Sequence, residues 1–371
     1  MKSLLYVSFE NSKNKSSGVN KKITGQINAF RSAGYDVSLV AVHESEIALY
    51  HEKDTTVLAR KIMPRIDLCR WVVDHADEYD IAYIRFQFFC PFVFQMLKAL
   101  KKSKAIVLME IPTYPYVHEL KMQGMKGIPK KLIDEFFGRK CVKYIDRFVS
   151  PLYGEKILGK ECIAIWNGID IDTILPRSAI IDNKIDLLAV AMMGSWHGYD
   201  RVIDGIHQYY MKGGTRNIVF HLVGEGVATP QYCKMIEKYE LEDHVIQHGK
   251  MFGDELNKMY DICDIGVGSL AAHRKGVMKT NTLKVLEYLA KGMPVLCDDG
   301  EVGVSPKFAY RHTVPADDSA IEMSSVVEFY DRIFSIPVEQ TIQSIRSECE
   351  LNCSVQRGLE EVFKYLQEVE N

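Results

Sequence analysis

Glu287 stands in a segment that can do chemistry. The run is Thr282-Leu283-Lys284-Val285-Leu286-Glu287-Tyr288-Leu289-Ala290-Lys291-Gly292-Met293-Pro294-Val295. Leu283, Leu286 and Leu289/Ala290 recur at helical spacing, so that face packs on a sheet, while Gly292 and Pro294 lead into an apolar strand. Glu287 falls off the stripe. A carboxylate near a helix start, beside the carboxyl end of a parallel sheet, is placed to accept both hydroxyls of a ribose. A solvated helix glutamate is the plainer alternative.

The elements around this segment predict an α/β protein. Leu4–Phe9 reads as a strand that leads through a polar loop with Gly18 into a helix over Lys21–Ala33. Gly34 stops that helix, and Val37–Val42, Ile81–Arg85, Ala105–Leu108 and Arg147–Ser150 read as further strands. Over Ile128–Ile145, apolar Leu132, Ile133, Phe136, Phe137, Cys141, Tyr144 and Ile145 predict an amphipathic helix. The pattern restarts after Pro176 with Leu187–Met192, Ile218–Val223, Val245–His248, Ile265–Gly268 and Pro294–Cys297. Two doubly wound, Rossmann-like domains follow, at 1–170 and 177–350, facing each other across an interdomain cleft. Ligands of such sheets sit beyond the carboxyl ends of the strands. Ser354–Val369 is helical, with Leu359, Val362, Leu366 and Val369 on one face.

Bulk properties exclude several classes. The 371 residues suffice for two cores, and 26% charged with 47% hydrophobic residues is ordinary globular composition. A net charge of −3 argues against a nucleic-acid partner. Nine cysteines without CxxC pairs indicate neither a disulfide framework nor a zinc ribbon, and reduced cytoplasmic thiols are the simpler expectation. No apolar run reaches the roughly 18 residues of a spanning helix.

Four segments, in order, give the chain a family resemblance. They are Gly18 with Gly25, Phe30, Gly34 and Val37; Asn167-Gly168-Ile169-Asp170; Gly194-Ser195-Trp196-His197-Gly198-Tyr199-Asp200-Arg201; and the Glu287 segment, with Gly224, Gly226 and Gly249 as smaller landmarks. Over residues 1 to about 295 the chain resembles the GT-B-fold nucleotide-sugar glycosyltransferases, specifically the large retaining group called family 4. The resemblance implies transfer of a sugar from a nucleotide-diphosphate donor, UDP-linked in the commonest case, to a hydroxyl of a glycan or polyprenyl-diphosphate-linked acceptor. It implies retention, no metal, no further cofactor and a role in polysaccharide biosynthesis of the capsule or exopolysaccharide type. It also implies that 354–371 packs back on the first domain.

Site roles follow from the same resemblance. Gly18, Ser195, Trp196, Gly198, Gly224, Asn281, Thr282, Leu283 and Glu287 are expected to bind the donor. The departing diphosphate oxygen needs charge stabilisation. Backbone N–H groups near Ser195–Gly198 and Asn281–Leu283 supply part of it. Arg201 and Lys279 are the expected cations, with His197 behind them and Arg274 or Lys275 adding charge.

The chain departs from relatives at three points. The second acid expected eight residues before Glu287 is Lys279 (287 − 8 = 279), the Arg expected after Gly194 is Ser195, and Glu110 stands where a His often faces the sugar. Glu110 is a candidate base or sugar-positioning group, with a structural contact as the alternative. Two other readings of the whole chain stay open: a nucleotide-sugar epimerase of similar fold, and a non-catalytic partner subunit with an eroded site.

Other signals are weaker. Asp170-Ile171-Asp172 resembles a metal motif but lies in the linker. Gly266-Val-Gly-Ser-Leu-Ala271 fits a dinucleotide fingerprint, yet its glycines fall inside a strand. His244 and His248 have metal-ligand spacing without an HExxH, and Cys349 and Cys353 read as two buried thiols. The basic region 121–147, with Lys121, Lys126, Lys130, Lys131, Arg139, Lys140, Lys143 and Arg147, is a candidate membrane-surface contact at the inner face of the cell membrane, or else a solvated helix.

Overall fold

The computed structural model describes all residues except 14–17, 52–53, 61–62, 113, 115–126, 180–181 and 371, and the backbone alone of 59–60 and 127–128. The chain divides into two compact units, Met1–Trp166 with Val355–Asn371, and Asn167–Ser354. The segment Asn167–Pro176, which reads as a linker, goes with the second unit.

Unit 1 holds β1 (Ser3–Asn11), α1 (Gly18–Ser32), β2 (Asp36–His43), β3 (Glu46–His51), β4 (Asp54–Arg60), α2 (Pro64–Asp74), β5 (Ile81–Arg85), α3 (Pro91–Lys102), β6 (Ile106–Glu110), α4 (Gly127–Cys141), β7 (Arg147–Pro151), β8 (Lys156–Ile157) and β9 (Lys160–Ile165). The sheet order is β4-β3-β2-β1-β5-β6-β7-β9-β8. Its centre is parallel, and β3, β4 and β8 add antiparallel edges. The central strands are buried on both faces, so they read as unbroken apolar runs such as Leu4–Val7 and Ile81–Ile84. The β3–β4 hairpin did not register in the sequence reading because it is a short edge ribbon with polar and exposed positions such as Val57.

Unit 2 holds β10 (Lys184–Val190), α5 (Tyr199–Met211), β11 (Asn217–Val223), α6 (Thr229–Tyr239), β12 (Val245–Gly249), α7 (Gly253–Ile262), β13 (Ile265–Val267), α8 (Leu283–Lys291), β14 (Val295–Asp298), β15 (Arg311–Val314), α9 (Met323–Ile333) and α10 (Val338–Asn352). All five strand pairings in the order β12-β11-β10-β13-β14-β15 are parallel. One face packs Tyr199, Val202, Ile203 and Ile206 against Leu187, Phe220 and Leu222, and the other packs Val285, Leu286 and Leu289 against Leu188, Val295 and Cys297. Both domains are therefore parallel-sheet, Rossmann-like α/β folds.

The chain ends in α11 (Val355–Gly358) and α12 (Glu360–Glu370) on the unit 1 sheet, where Leu359, Val362 and Leu366 are buried beside Phe30 and Ile165. Val369 is exposed and leaves the expected stripe. A larger correction concerns α4. Leu132, Ile133 and Phe136 face outward, while Asp134, Gly138 and Cys141 face in. Asp134 is drawn inside because its carboxylate accepts the Phe89 N–H at 2.6 Å. Lys121, Lys126, Thr113, Pro115 and Tyr116 lie outside the described residues.

Candidate functional site

At the carboxyl end of the unit 2 sheet, the loops after β10, β13 and β14 meet around the start of α8. After β10 the chain makes a 3-10 turn at Ser195–His197, and Gly198 turns it into α5 with φ of 67°. A side chain at Gly198 would be strained there, and its Cβ would stand 2.9 Å from that of Ala271. The His197 carbonyl accepts the Leu270 N–H at 2.9 Å, which ties this turn to the loop after β13. Gly224 turns the chain after β11 with a positive φ of 117°.

His197 is buried, stacks on Tyr199 with ring centroids 5.3 Å apart, and accepts the Gly194 N–H on Nδ1 at 3.0 Å. Burial, then the nearby Lys284 and Lys275 charges, pushes its pKa down to about 2. It is a neutral positioning ring, so the cation expected at this position is absent.

Arg201 also has a different task from the expected one. Its guanidinium is buried and donates to the carbonyls of Ser319 at 2.6 Å, Pro315 at 3.0 Å and Leu270, and to Asp317 at 3.1 Å. These bonds hold the loops after β13 and β15 and leave no exposed edge for a phosphate. Arg274 is likewise engaged: it grips Asp200 at 2.9 and 2.8 Å and donates to Asp318 at 2.7 Å and the Ser195 carbonyl at 2.8 Å.

Among the described residues, three lysines bring positive charge to this end of unit 2. Lys275 is exposed and stands 3.1 Å from the Trp196 ring centroid, a cation–π contact. Lys279 is exposed in the loop before α8. Lys284, which the sequence reading passed over, sits half-buried in the first turn of α8 and donates to the Tyr199 hydroxyl at 3.1 Å. Burial lowers its pKa to about 7 even though Glu301 opposes the shift. A cation in the first turn opposes the helix dipole, so an anion bound there would relieve both effects. That placement, three residues before Glu287, was the signal available in the sequence.

The entrance to α8 is built by side chains on both flanks. Thr282 is the N-cap, and its N–H and hydroxyl donate to Glu301 at 3.1 and 3.0 Å. Thr280 and the Gly303 N–H fill the rest of that carboxylate at 3.2 and 3.0 Å. Burial still raises Glu301 to about 6. Asn281 is buried: its Oδ1 accepts the Asn167 N–H at 2.6 Å and its carbonyl accepts the Asn167 side chain. Two segments of the family pattern thus meet directly. Leu283 opens the helix, and Glu287, one turn on, is half-buried and bonded to the Tyr260 hydroxyl. The structure therefore gathers Ser195, Trp196, Gly198, Asn281, Thr282, Leu283 and Glu287, with Lys275, Lys279 and Lys284, at one end of unit 2.

Two expected sites lie in unit 1. Gly18 opens α1, next to residues outside the description. Glu110 ends β6 fully buried; it pairs with Lys22 at 2.9 Å and Arg85 at 2.8 Å and accepts from Gln26 at 2.9 Å and Tyr83 at 2.7 Å. Burial alone would raise its pKa, but the two cations outweigh it and bring the carboxyl down to about 2. With both oxygens engaged and no exposed surface, this geometry is the structural contact rather than that of a base.

The remaining signals resolve locally. His244 bonds to the Ile218 carbonyl and His248 to His221, so the two do not converge. Cys349 and Cys353 are buried thiols. Gly266 lies in β13, where a Cβ would stand 2.3 Å from the Tyr288 ring, so its glycine serves close packing of α8. Among the described residues no helix is long and apolar enough to cross a membrane.

Residues 170–307 match the family model for glycosyl transferases group 1. No curated protein matches the chain by sequence. Among solved structures, sucrose-phosphate synthase from Thermosynechococcus elongatus superposes with a TM-score of 0.65 at 13% identity, over 100% of this chain and 98% of that one. A glycosyltransferase from Rickettsia africae gives 0.64 at 14% identity, over 100% and 99%. HepE from Anabaena, solved in complex with UDP, gives 0.61 at 13% identity, over 100% and 99%. At such identities the likeness is one of fold. The chain has the fold of the GT-B glycosyltransferases and carries a glycosyltransferase group 1 domain at residues 170–307, and by that domain it is a glycosyltransferase.

Proposed function

We propose that the protein transfers a sugar from a nucleoside-diphosphate donor, a UDP-sugar first among them, to a hydroxyl of a glycan or lipid-linked acceptor in polysaccharide biosynthesis. The observation that carries this reading is the start of α8, where Lys284 stands one turn before Glu287. Glu287 takes the ribose hydroxyls. The N-terminal turn of α8, with Lys284, Lys279 and Lys275, receives the diphosphate and stabilises the charge that develops on the leaving oxygen. Nucleotides bound in solved relatives support the donor class: Anabaena HepE was solved with UDP and with UDP-glucose, and Arabidopsis starch synthase IV with ADP.

In this reading the reaction retains the anomeric configuration and needs no metal. The leaving phosphate accepts the proton of the incoming hydroxyl on the same face of the sugar, so no separate base is required, in keeping with the enclosure of Glu110. The test is a thermal-shift panel of UDP, GDP, dTDP and ADP, each with and without EDTA, on wild type and Glu287→Ala. A nucleotide near 100 times its dissociation constant stabilises by about 2.7 kcal/mol. One nucleotide that binds in EDTA, and about ten to a hundred times more weakly in the variant, is the expected result. No shift with any nucleotide would favour the partner-subunit alternative, for which the full engagement of Arg201 and Arg274 is the supporting observation.

A further inference from the structure

The outward face of α4 combines two properties that a merely solvated helix lacks. Leu132, Ile133 and Phe136 are 63%, 43% and 55% exposed, although the same helix buries Asp134 and Cys141 on its other side. Gly138 marks that inner side, since a Cβ there would stand 3.1 Å from the Phe89 ring and 3.3 Å from Leu158. The helix orientation is therefore set by packing, and the three apolar side chains are left facing out.

Cations surround them. Lys130 and Lys131 lie near the start of the helix, four and three residues before Asp134; Arg139 and Lys140 are exposed after Phe136, and Lys143 is exposed in the 3-10 turn that follows the helix. The Lys140 ammonium stands 4.1 Å from the Phe136 ring centroid. Arg139, Lys140 and Lys143 are the exposed cations that follow the apolar side chains, and the exposed carboxylate of the helix, Glu135, stands 3.5 Å from Lys131. Leucine and phenylalanine at adjacent helical turns form a wedge of apolar surface, and long basic side chains beside it reach toward negative charge while their stems lie on the apolar surface.

We propose that this face of α4 docks on an anionic lipid surface, with Leu132, Ile133 and Phe136 entering the headgroup region and the lysines meeting lipid phosphates. Charge complementarity selects the occupant, because the exposed Arg139, Lys140 and Lys143 beside the apolar side chains match the phosphates of an anionic surface. The surface lies in unit 1 and does not depend on the donor assignment.

The test is flotation of the full chain with vesicles of phosphatidylcholine, with and without phosphatidylglycerol. Wild type is expected to float with the anionic vesicles only, and to be released at about 0.5 M salt. A variant with Lys130, Lys131, Lys140 and Lys143 changed to Glu should stay in the aqueous layer, and Leu132→Ser with Phe136→Ser should weaken partition at least tenfold. The Lys131 side chain is 41% exposed and the other substituted positions are exposed, so both variants should keep the wild-type melting temperature and the wild-type nucleotide response. Absence of flotation by wild type, or unchanged flotation of either variant, overturns the proposal. So does a concentration-dependent dimer that Phe136→Ser abolishes in the absence of any lipid binding.

Discussion

The Lys284 ammonium donates to the Tyr199 hydroxyl across 3.1 Å, joining the first turn of α8 to the first residue of α5. The contact holds a cation at the positive end of a helix in an enclosed setting, the arrangement that gains most from an arriving anion. Its pKa falls from the ordinary 10.5 to about 7 through burial. Two consequences of opposite sign follow.

For ligand-free stability, the unfolded chain keeps the Lys284 proton up to its ordinary value while the folded chain releases it near 7. The buried charge is therefore a full burden below pH 7, and stability rises with pH between about 7 and 10.5. Lys284→Met should raise the melting temperature at pH 6.5 and flatten this dependence, as measured by thermal unfolding across pH. For binding, a diphosphate draws the proton back, so nucleotide affinity should fall by up to about tenfold per pH unit above pH 7. The same variant should bind about ten to a hundred times more weakly and lose that dependence in calorimetric titrations.

Glu110 answers to acid. Its depressed pKa means that its contribution is present above the ordinary 4.5 and is lost as pH falls toward about 2. Glu110→Gln leaves Lys22 and Arg85 buried without their shared carboxylate and should destabilise unit 1 by about 3–5 kcal/mol. Denaturant unfolding monitored at neutral pH checks this. A variant with normal stability but lost transfer would return Glu110 to a direct part in the reaction.

Arg201 should behave as a brace. Arg201→Met leaves the carbonyls of Leu270, Pro315 and Ser319 without a donor and should cost about 3 kcal/mol or more. Any loss of nucleotide binding should track the loss of folded protein, which parallel melting and titration at low temperature would separate. Lys279→Met, by contrast, changes an exposed side chain and should weaken diphosphate binding at unchanged melting temperature.

Asn281 tests the link between the two family segments. Asn281→Ala removes the acceptor of the Asn167 N–H and should destabilise the entrance to α8 by about 1–3 kcal/mol. Hydrogen exchange should show faster opening of Thr280–Lys284 than of the α5 core.

Much of the fold was legible because its cause is local. Parallel strands buried on both faces are written as apolar runs such as Leu187–Ala189, and the α8 helix as a stripe bounded by Gly292. The Glu287 segment could likewise be found by residue type and spacing, whereas the turn at Gly198 and the Asn167 landmark are singled out by the family resemblance. What the sequence could not carry was which polar groups would be engaged by distant partners. Arg201 looks like a phosphate ligand until Ser319, Pro315 and Leu270 surround it, and Glu110 looks like a base until Lys22 and Arg85 close on it. Lys284 looks like an ordinary helix lysine until Tyr199 and the surrounding core enclose it. The face of α4 was misjudged for the same reason, since one hydrogen bond from Phe89 to Asp134 helps decide which side turns inward. Periodicity in the chain determines which elements form. Burial, charge pairing and hydrogen-bond satisfaction depend on residues tens to more than a hundred positions apart, and only the tertiary structure brings those together.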